Sequence, residues 1–154
     1  MLASFPRLFV RLSCALFTVG ALLSGASTFA AEPSLRVESA WLRATPAGAQ
    51  VGAGYATLRN TGKTPRVVVG VETPVSASAQ LHSMTHSDGM MRMRHLERLP
   101  VPAGGSVALA PNGNHLMLFG LHAPLVAGQR VPLSFVLDDG SRVTTDFVVR
   151  AAAP

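Results

Sequence analysis

The histidines and methionines of this 154-residue chain are crowded into one segment. All five histidines lie between His82 and His122, and five of the six methionines lie between Met84 and Met117. Imidazole nitrogens and thioether sulfurs both bind transition metals. The segment therefore predicts a metal-binding site that uses these two ligand types.

Two triplets in this segment have the pattern His-x-Met, at His82–Met84 and at His115–Met117. Residues two apart on a β-strand point to the same face, so each triplet can aim an imidazole and a thioether at one point. Met91, Met93 and His95 share a face for the same reason. A sulfur from this third stretch, set beside the two triplets, would complete a small cage.

The ligand types favour copper(I). Thioethers are soft, uncharged donors that suit copper(I) and are poor ligands for zinc, calcium or magnesium, whereas imidazole suits copper in either oxidation state. A cage of two histidines and two methionines therefore favours copper(I) over copper(II). It is also suited to compartments outside the cytoplasm, where cysteine ligands are prone to oxidation.

Core packing is the competing interpretation, because methionine on a strand commonly fills gaps in a hydrophobic core. His86 lies in the polar stretch Thr85–Gly89, and we expect it in a solvated turn outside the site. His122 precedes Pro124, and we expect it in a loop. The two His-x-Met triplets with a methionine-rich stretch between them are harder to explain by packing alone.

Several other functions are excluded. The only cysteine is Cys14, close to the N-terminus, so the main domain has no thiolate for a blue-copper site, a zinc finger or a cysteine nucleophile. No Gly-x-Ser-x-Gly or His-Glu-x-x-His motif is present, and we expect no enzymatic activity. A net charge of +5 with a lone Trp41 and a lone Tyr55 does not indicate a nucleic-acid surface.

The segments that carry these candidate ligands, and the rest of the domain, are predicted to be β-strands. Short alternating or β-branched runs are separated by turn residues, and no long helical period is present. This pattern predicts an antiparallel sandwich or barrel of roughly seven to nine strands. The predicted strands are 34–44, 52–59, 66–71, 80–84, 90–96, 106–109, 115–119, 131–137 and 142–149.

The first thirty residues have the order of a secretory signal peptide. Arg7 and Arg11 precede an apolar run, and Thr28-Phe29-Ala30 fits a small-x-small cleavage site. We therefore expect cleavage near Ala30, export to the periplasm, and a single domain over residues 31–154. Because Cys14 lies inside the apolar run, we expect no lipid attachment there.

The sequence resembles the PCu(A)C-type periplasmic copper chaperones. The signature of that family is a histidine, ten residues, a methionine, twenty-one residues and then His-x-Met. His82, Met93, His115 and Met117 match it in residue type and in both gaps. Flanking stretches match as well, at 40–44, 90–94, 101–105 and 115–118.

The resemblance implies a cupredoxin-like (Ig-like) antiparallel β-sandwich or barrel that binds one copper(I) through His82, Met93, His115 and Met117. It also implies delivery of copper to the dinuclear copper site of cytochrome c oxidase, and we expect a monomer. Met84 is a secondary candidate ligand. A periplasmic copper-buffering or resistance protein with the same site is the alternative.

A copper carrier must also release its ion, so the resemblance and the ligand types together predict a site near the surface. We expect the four ligands at one edge of the sandwich, where an incoming sulfur can reach the metal. An apolar rim formed by Leu116, Phe119 and Met90 is predicted around them.

Overall fold

Ten β-strands make up the fold in a computed structural model that describes residues 34–87 and 89–151. The predicted signal peptide, residues 1–30, lies outside the described residues. Within them there is no helix, and hence none that is long and apolar enough to cross a membrane. The strands are β1 Leu35–Arg43, β2 Val51–Asn60, β3 Arg66–Glu72, β4 Ser76–Ser87, β5 Met90–His95, β6 Leu99–Val101, β7 Ser106–Leu109, β8 His115–Leu121, β9 Arg130–Leu137 and β10 Arg142–Arg150.

Alternation of side chains explains why these segments are strands. In β9, Val131, Leu133, Phe135 and Leu137 are buried, and the residues between them are at least partly exposed. A period of two places one set of side chains on a core face and the other set toward solvent. The same alternation in β8 matters for function, because it divides apolar core residues from candidate ligands.

Seven of the strands close into a barrel. The order around the ring is β4, β8, β2, β1, β10, β9 and β3, and the pair Val71 and Ala79 joins β3 back to β4. Six of these seven pairings are antiparallel, and β1 pairs with β10 in parallel, with Trp41 opposite Val148. The predicted all-β fold is confirmed. The one parallel pair joins segments from opposite ends of the domain, which a local sequence pattern cannot indicate.

The core fills the interior of this barrel. Leu81 on β4 and Leu116 and Leu118 on β8 are almost completely buried there. Phe135 and Phe147 pack against each other with ring centres 6.3 Å apart. The predicted place of Leu116 in an apolar rim around the metal is wrong, because Leu116 alternates with its neighbours in β8 and faces the core.

Two elements differ from the sequence-based expectation. Strand β4 is twelve residues long and includes His86, so the predicted turn at His86 is wrong. Both ends of β4 are rich in serine and threonine and contain few apolar residues, so their sequence does not indicate a strand. Pairing with β8 and with β5 holds these ends extended. Strand β6 was not predicted, because Leu99–Val101 is short and contains a proline.

Candidate metal centre

Strand β4 lies between β8 and β5, and its register brings the candidate ligands together. On the β8 side, His82 pairs with His115, and Gln80 pairs with Met117. On the β5 side, His82 pairs with His95. Residues directly opposite on neighbouring strands have Cβ atoms about 5 Å apart and share a face. His82 is therefore flanked by an imidazole on each side.

The methionines occupy adjacent positions on the same face. Met84 pairs with Met93 across the β4–β5 ladder, one step beyond the row of imidazoles. Met117 lies on β8, one step from the row of imidazoles on the side opposite to Met84 and Met93. This is the outer face of the sheet, since the intervening residues Leu81 and Leu116 point into the core. The structure thus brings the four predicted ligands, and Met84, to one patch.

His82 occupies the centre of the patch. The centre of its ring is 5.7 Å from that of His95, 6.1 Å from that of His115 and 5.8 Å from that of Phe119. Burial, followed by the neighbouring His115 and His95, lowers the pKa of His82 below 6.5. The imidazole is therefore neutral at neutral pH, which is the form that binds a metal ion.

The two ring nitrogens of His82 have different surroundings. Nε2 lies 3.1 Å from the side-chain oxygen of Gln80, so the neutral ring donates its Nε2–H to this acceptor. Nδ1 is buried and has no hydrogen-bond partner among the described residues. An unsatisfied buried nitrogen is costly. With the ring proton on Nε2, Nδ1 carries a lone pair that no described group uses.

His115 is oriented by the loop that precedes β8. Its Nδ1 lies 2.9 Å from the carbonyl oxygen of Gly113, and donation from Nδ1–H leaves the Nε2 lone pair free. The same carbonyl accepts the backbone N–H of Met84 at 3.1 Å. One peptide group therefore fixes the tautomer of His115 and joins its loop to β4. His115 is only 5% exposed, so its ring has little freedom to leave the site.

The sulfur-bearing side chains are more accessible than the imidazoles. Met84 and Met117 are half-buried, and Met93 is 48% exposed. Every side chain of β5 is exposed. The patch is therefore open on the β5 side, where an incoming ligand can approach Met93.

The residues present fit a soft metal ion. Among the described residues, no three side chains drawn from His, Cys, Asp and Glu are arranged to hold a metal. A site built from these residues would combine imidazole with thioether, a donor set that suits copper(I). The unpartnered Nδ1 of His82 supports this fit.

Two further histidines, His86 and His122, lie outside the row of imidazoles formed by His95, His82 and His115. His86 pairs with Met91 two steps outward along the β4–β5 ladder, and its side chain is exposed. His122 lies after β8 as expected, with its Nδ1 3.2 Å from the carbonyl oxygen of Pro74. Gln80 and Gly113, which hydrogen-bond to the rings of His82 and His115, were not predicted as part of the site. Gln80 precedes His82 by two residues, so a period of two would have placed it on the ligand face.

Known proteins resemble this chain in sequence and in fold. Residues 35–149 match a family model described as "LpqE-like: Putative lipoprotein LpqE-like". The chain belongs to the LpqE-like family. A curated relative, "Putative lipoprotein Lxx21020" from Leifsonia xyli subsp. xyli, is 37% identical to this LpqE-like protein over 108 residues. The match covers 70% of this chain and 64% of that relative, so the chain spans less than two thirds of the relative's length.

Solved structures share the fold of this LpqE-like protein. "CuI-DR1885" from Deinococcus radiodurans is 34% identical with a TM-score of 0.62, and the match covers 82% of this chain and 86% of that one. The "Apo PCuAC domain from PmoF1" is 26% identical with a TM-score of 0.65, covering 77% and 95%. The predicted cupredoxin-like fold class is confirmed by these matches.

Proposed function

We propose that this LpqE-like protein is an exported, non-enzymatic copper(I) chaperone that binds one ion through His82, Met93, His115 and Met117. The observation that carries the proposal is the register of β4, β5 and β8. It sets two His-x-Met triplets side by side on the outer face of the sheet, with Met93 on the adjoining strand. The similarity to CuI-DR1885 and to a PCuAC domain supports copper as the ion.

The two pairs of ligands play different parts in this proposal. His82 and His115 are neighbours across one ladder and are held by hydrogen bonds to Gln80 and Gly113. They supply a preformed pair of nitrogens. Met93 and Met117 lie on either side of this pair and supply soft, neutral sulfurs that favour the reduced ion.

The open β5 side provides the route for release. Met93 is nearly half exposed, so an incoming thiolate can replace its sulfur first. Thioethers bind copper(I) more weakly than thiolates, which lets a cysteine-bearing partner draw the ion away. We propose the dinuclear copper site of cytochrome c oxidase as the recipient, on the basis of the resemblance to PCu(A)C-type chaperones.

Export rests on the N-terminal sequence and on the family. The predicted signal peptide ends near Ala30, and the family description names a lipoprotein. We propose periplasmic release by cleavage near Ala30, since Cys14 lies inside the apolar run. Mass spectrometry of the exported protein distinguishes this product from one that carries a lipid on Cys14.

An anaerobic copper(I) titration against a competing chelator tests the ligand set. We expect one ion per chain in the wild type and at least a hundredfold weaker binding in the double variant His115→Ala/Met117→Ala. The matched control is His86→Ala/Met91→Ala, which removes the same two side-chain types from an exposed position two steps away. Unchanged affinity in the first variant, or an equal loss in the control, would count against the proposed site.

Transfer is measured by mixing the copper(I)-loaded protein with the copper-free soluble domain of the oxidase subunit. We expect copper to move to that domain and the carrier to be recovered as apoprotein. Retention of copper on the carrier would favour the alternative, a periplasmic buffering or resistance protein.

A further inference from the structure

We propose that the outer edge of β5, the side that faces away from β4, is a docking site for an extended, acidic strand of the copper-receiving protein. The added strand continues the sheet and brings a cysteine beside Met93. This inference rests on the proposed function and names the chemistry of the partner. It is drawn from the free backbone groups of β5 and from the charge of two arginines.

The hydrogen bonds of β4 show which backbone groups of β5 are free. Leu96 donates its N–H to the carbonyl oxygen of Leu81 at 2.8 Å, so this pair is hydrogen-bonded across the two strands. Met84 instead donates its N–H at 3.1 Å to Gly113, on the β8 side. In an antiparallel ladder, hydrogen-bonded pairs alternate with pairs that form no such bonds. Met93, the partner of Met84, belongs to the second kind.

Every second residue of β5 has the same orientation. The backbone N–H and C=O groups of Met91, Met93 and His95 point to the outer edge, and no described strand pairs with them there. The side chains of these three residues share a face with His82 and Met84, which is the face of the proposed copper site. An unpaired edge of this kind is a template for a further strand.

The opposite face of β5 carries the charge that selects the partner. Arg92 and Arg94 are exposed there, and neither forms an ion pair among the described residues. Carboxylates opposite these arginines would stabilise a strand pair, and like charges would destabilise it. Antiparallel pairing of two β5 strands would bring the arginines of both copies to one face. The edge therefore favours an acidic partner over a second copy of this chain.

A strand added at this edge has one side chain next to a ligand. Met93 would form a hydrogen-bonded pair with one residue of the added strand, and the Cα atoms of such a pair are about 5.5 Å apart with both side chains on one face. Met93 is 48% exposed, so the face is open there. A cysteine at this position loses its thiol proton to solvent, and its sulfur replaces the Met93 thioether on copper(I) without electron transfer.

Two synthetic peptides test the edge on the copper-free protein. The first alternates glutamate with valine and has one central cysteine in the valine set, and the second has lysine in place of each glutamate. In proton–nitrogen NMR titrations we expect the acidic peptide to shift the amides of Met91, Met93 and His95. It should bind at least about tenfold more tightly than the basic peptide, and added salt should weaken it.

Charge reversal is the first variant. Arg92→Glu/Arg94→Glu should reverse the preference between the two peptides. The matched control is Arg43→Glu/Arg59→Glu, which makes the same change in net charge at exposed positions of β1 and β2 and should leave the preference in place. An unchanged preference in the first variant would overturn the docking site.

Removal of one outward N–H is the second variant. Met91→Pro deletes a donor that faces the edge and leaves the hydrogen bonds to β4 intact, since proline is tolerated on edge strands. It should weaken binding of the acidic peptide about fivefold, as for the loss of one backbone hydrogen bond. Met91→Ala keeps the N–H and should bind as the wild type does. Equal binding by the two variants would contradict strand addition.

Copper transfer tests the place of the cysteine. The copper(I)-loaded protein should deliver its ion faster to the acidic peptide than to a peptide whose cysteine is moved by one position, onto the glutamate face. Equal rates would contradict a cysteine beside Met93. Failure of the peptides to bind, or self-association through β5, would overturn the docking site and leave the copper(I) site standing. Copper(I) binding that does not depend on His115 and Met117 would instead remove the proposed function.

Discussion

At the scale of single residues, the centre depends on how two imidazoles are held before any metal arrives. His82 donates from Nε2 to Gln80, and His115 donates from Nδ1 to Gly113. The two rings therefore offer opposite nitrogens, Nδ1 from His82 and Nε2 from His115. Residues that fix the tautomer of a ligating histidine commonly affect metal affinity almost as strongly as the ligands do.

Gln80 is the residue whose loss should show this effect. We expect Gln80→Leu to release the Nε2–H of His82, to broaden the distribution of tautomers, and to weaken copper(I) binding roughly tenfold. Long-range proton–nitrogen NMR of the imidazole reports the tautomer, and chelator competition reports the affinity. Gln50→Leu is the control, because its backbone carbonyl, rather than its side chain, bonds Gly120 and Leu121. A His82 tautomer that is unchanged in Gln80→Leu would contradict this role.

The lowered pKa of His82 predicts how the stability of the protein depends on pH. Folding favours the neutral ring, because burial and the adjacent His115 and His95 disfavour its charge. The resulting stability is present above the unfolded pKa of 6.5 and is lost as the pH falls through the lower folded value. The NMR titration midpoint of His82 in the apoprotein should lie below 6.5. His82→Gln should weaken the acid dependence of unfolding, and His86→Gln should leave it in place.

At the scale of elements, the ladders that β4 forms with β8 and with β5 meet at one residue. The first half of β4 pairs with β8 from Ser76 to His82, and its second half pairs with β5 from His82 to Ser87. His82 is the position common to both. The core face of the same strands anchors this junction, since Leu81 and Leu116 pair across it inside the barrel.

Leu116 should therefore contribute to stability and not to metal contact. We expect Leu116→Ala to cost about 2–5 kcal/mol of unfolding free energy, because the side chain is fully buried in the core. In denaturant unfolding the midpoint should fall while the slope stays unchanged. Val126→Ala is the control: Val126 is 64% exposed, and its loss should change stability by no more than about 0.5 kcal/mol. A cost below about 1 kcal/mol for Leu116→Ala would contradict its core placement.

Most strands and the side chains that share a face could be predicted from the sequence. The register between neighbouring strands could not. The period of two within each strand correctly placed His82 with Met84 and His115 with Met117 on shared faces. It also located nine of the ten strands, and missed only the short, proline-containing β6. Which residue of β4 stands opposite His115 depends on long-range pairing, which a local pattern does not encode.

At the scale of the whole molecule, the site joins a closed barrel to a strand outside it. His82, His115 and Met117 belong to strands of the ring, whereas Met93 belongs to β5, which among the described strands pairs only with β4. All β5 side chains are exposed, so few apolar contacts oppose its local opening. An ion that bridges β5 to the ring should hold this strand in place.

Copper(I) should therefore stabilise the apoprotein globally and β5 locally. At a free ion concentration one hundred times Kd, binding adds about 2.7 kcal/mol, which raises Tm by about 10 °C for a domain of this size. Hydrogen exchange should slow most at the amides of β5. Met93→Ala should lose this local protection while keeping a smaller rise in Tm from the three remaining ligands, and Met91→Ala should behave as the wild type. Equal slowing in β5 and in the core strand β9 would mean that copper does not bridge the strand to the ring.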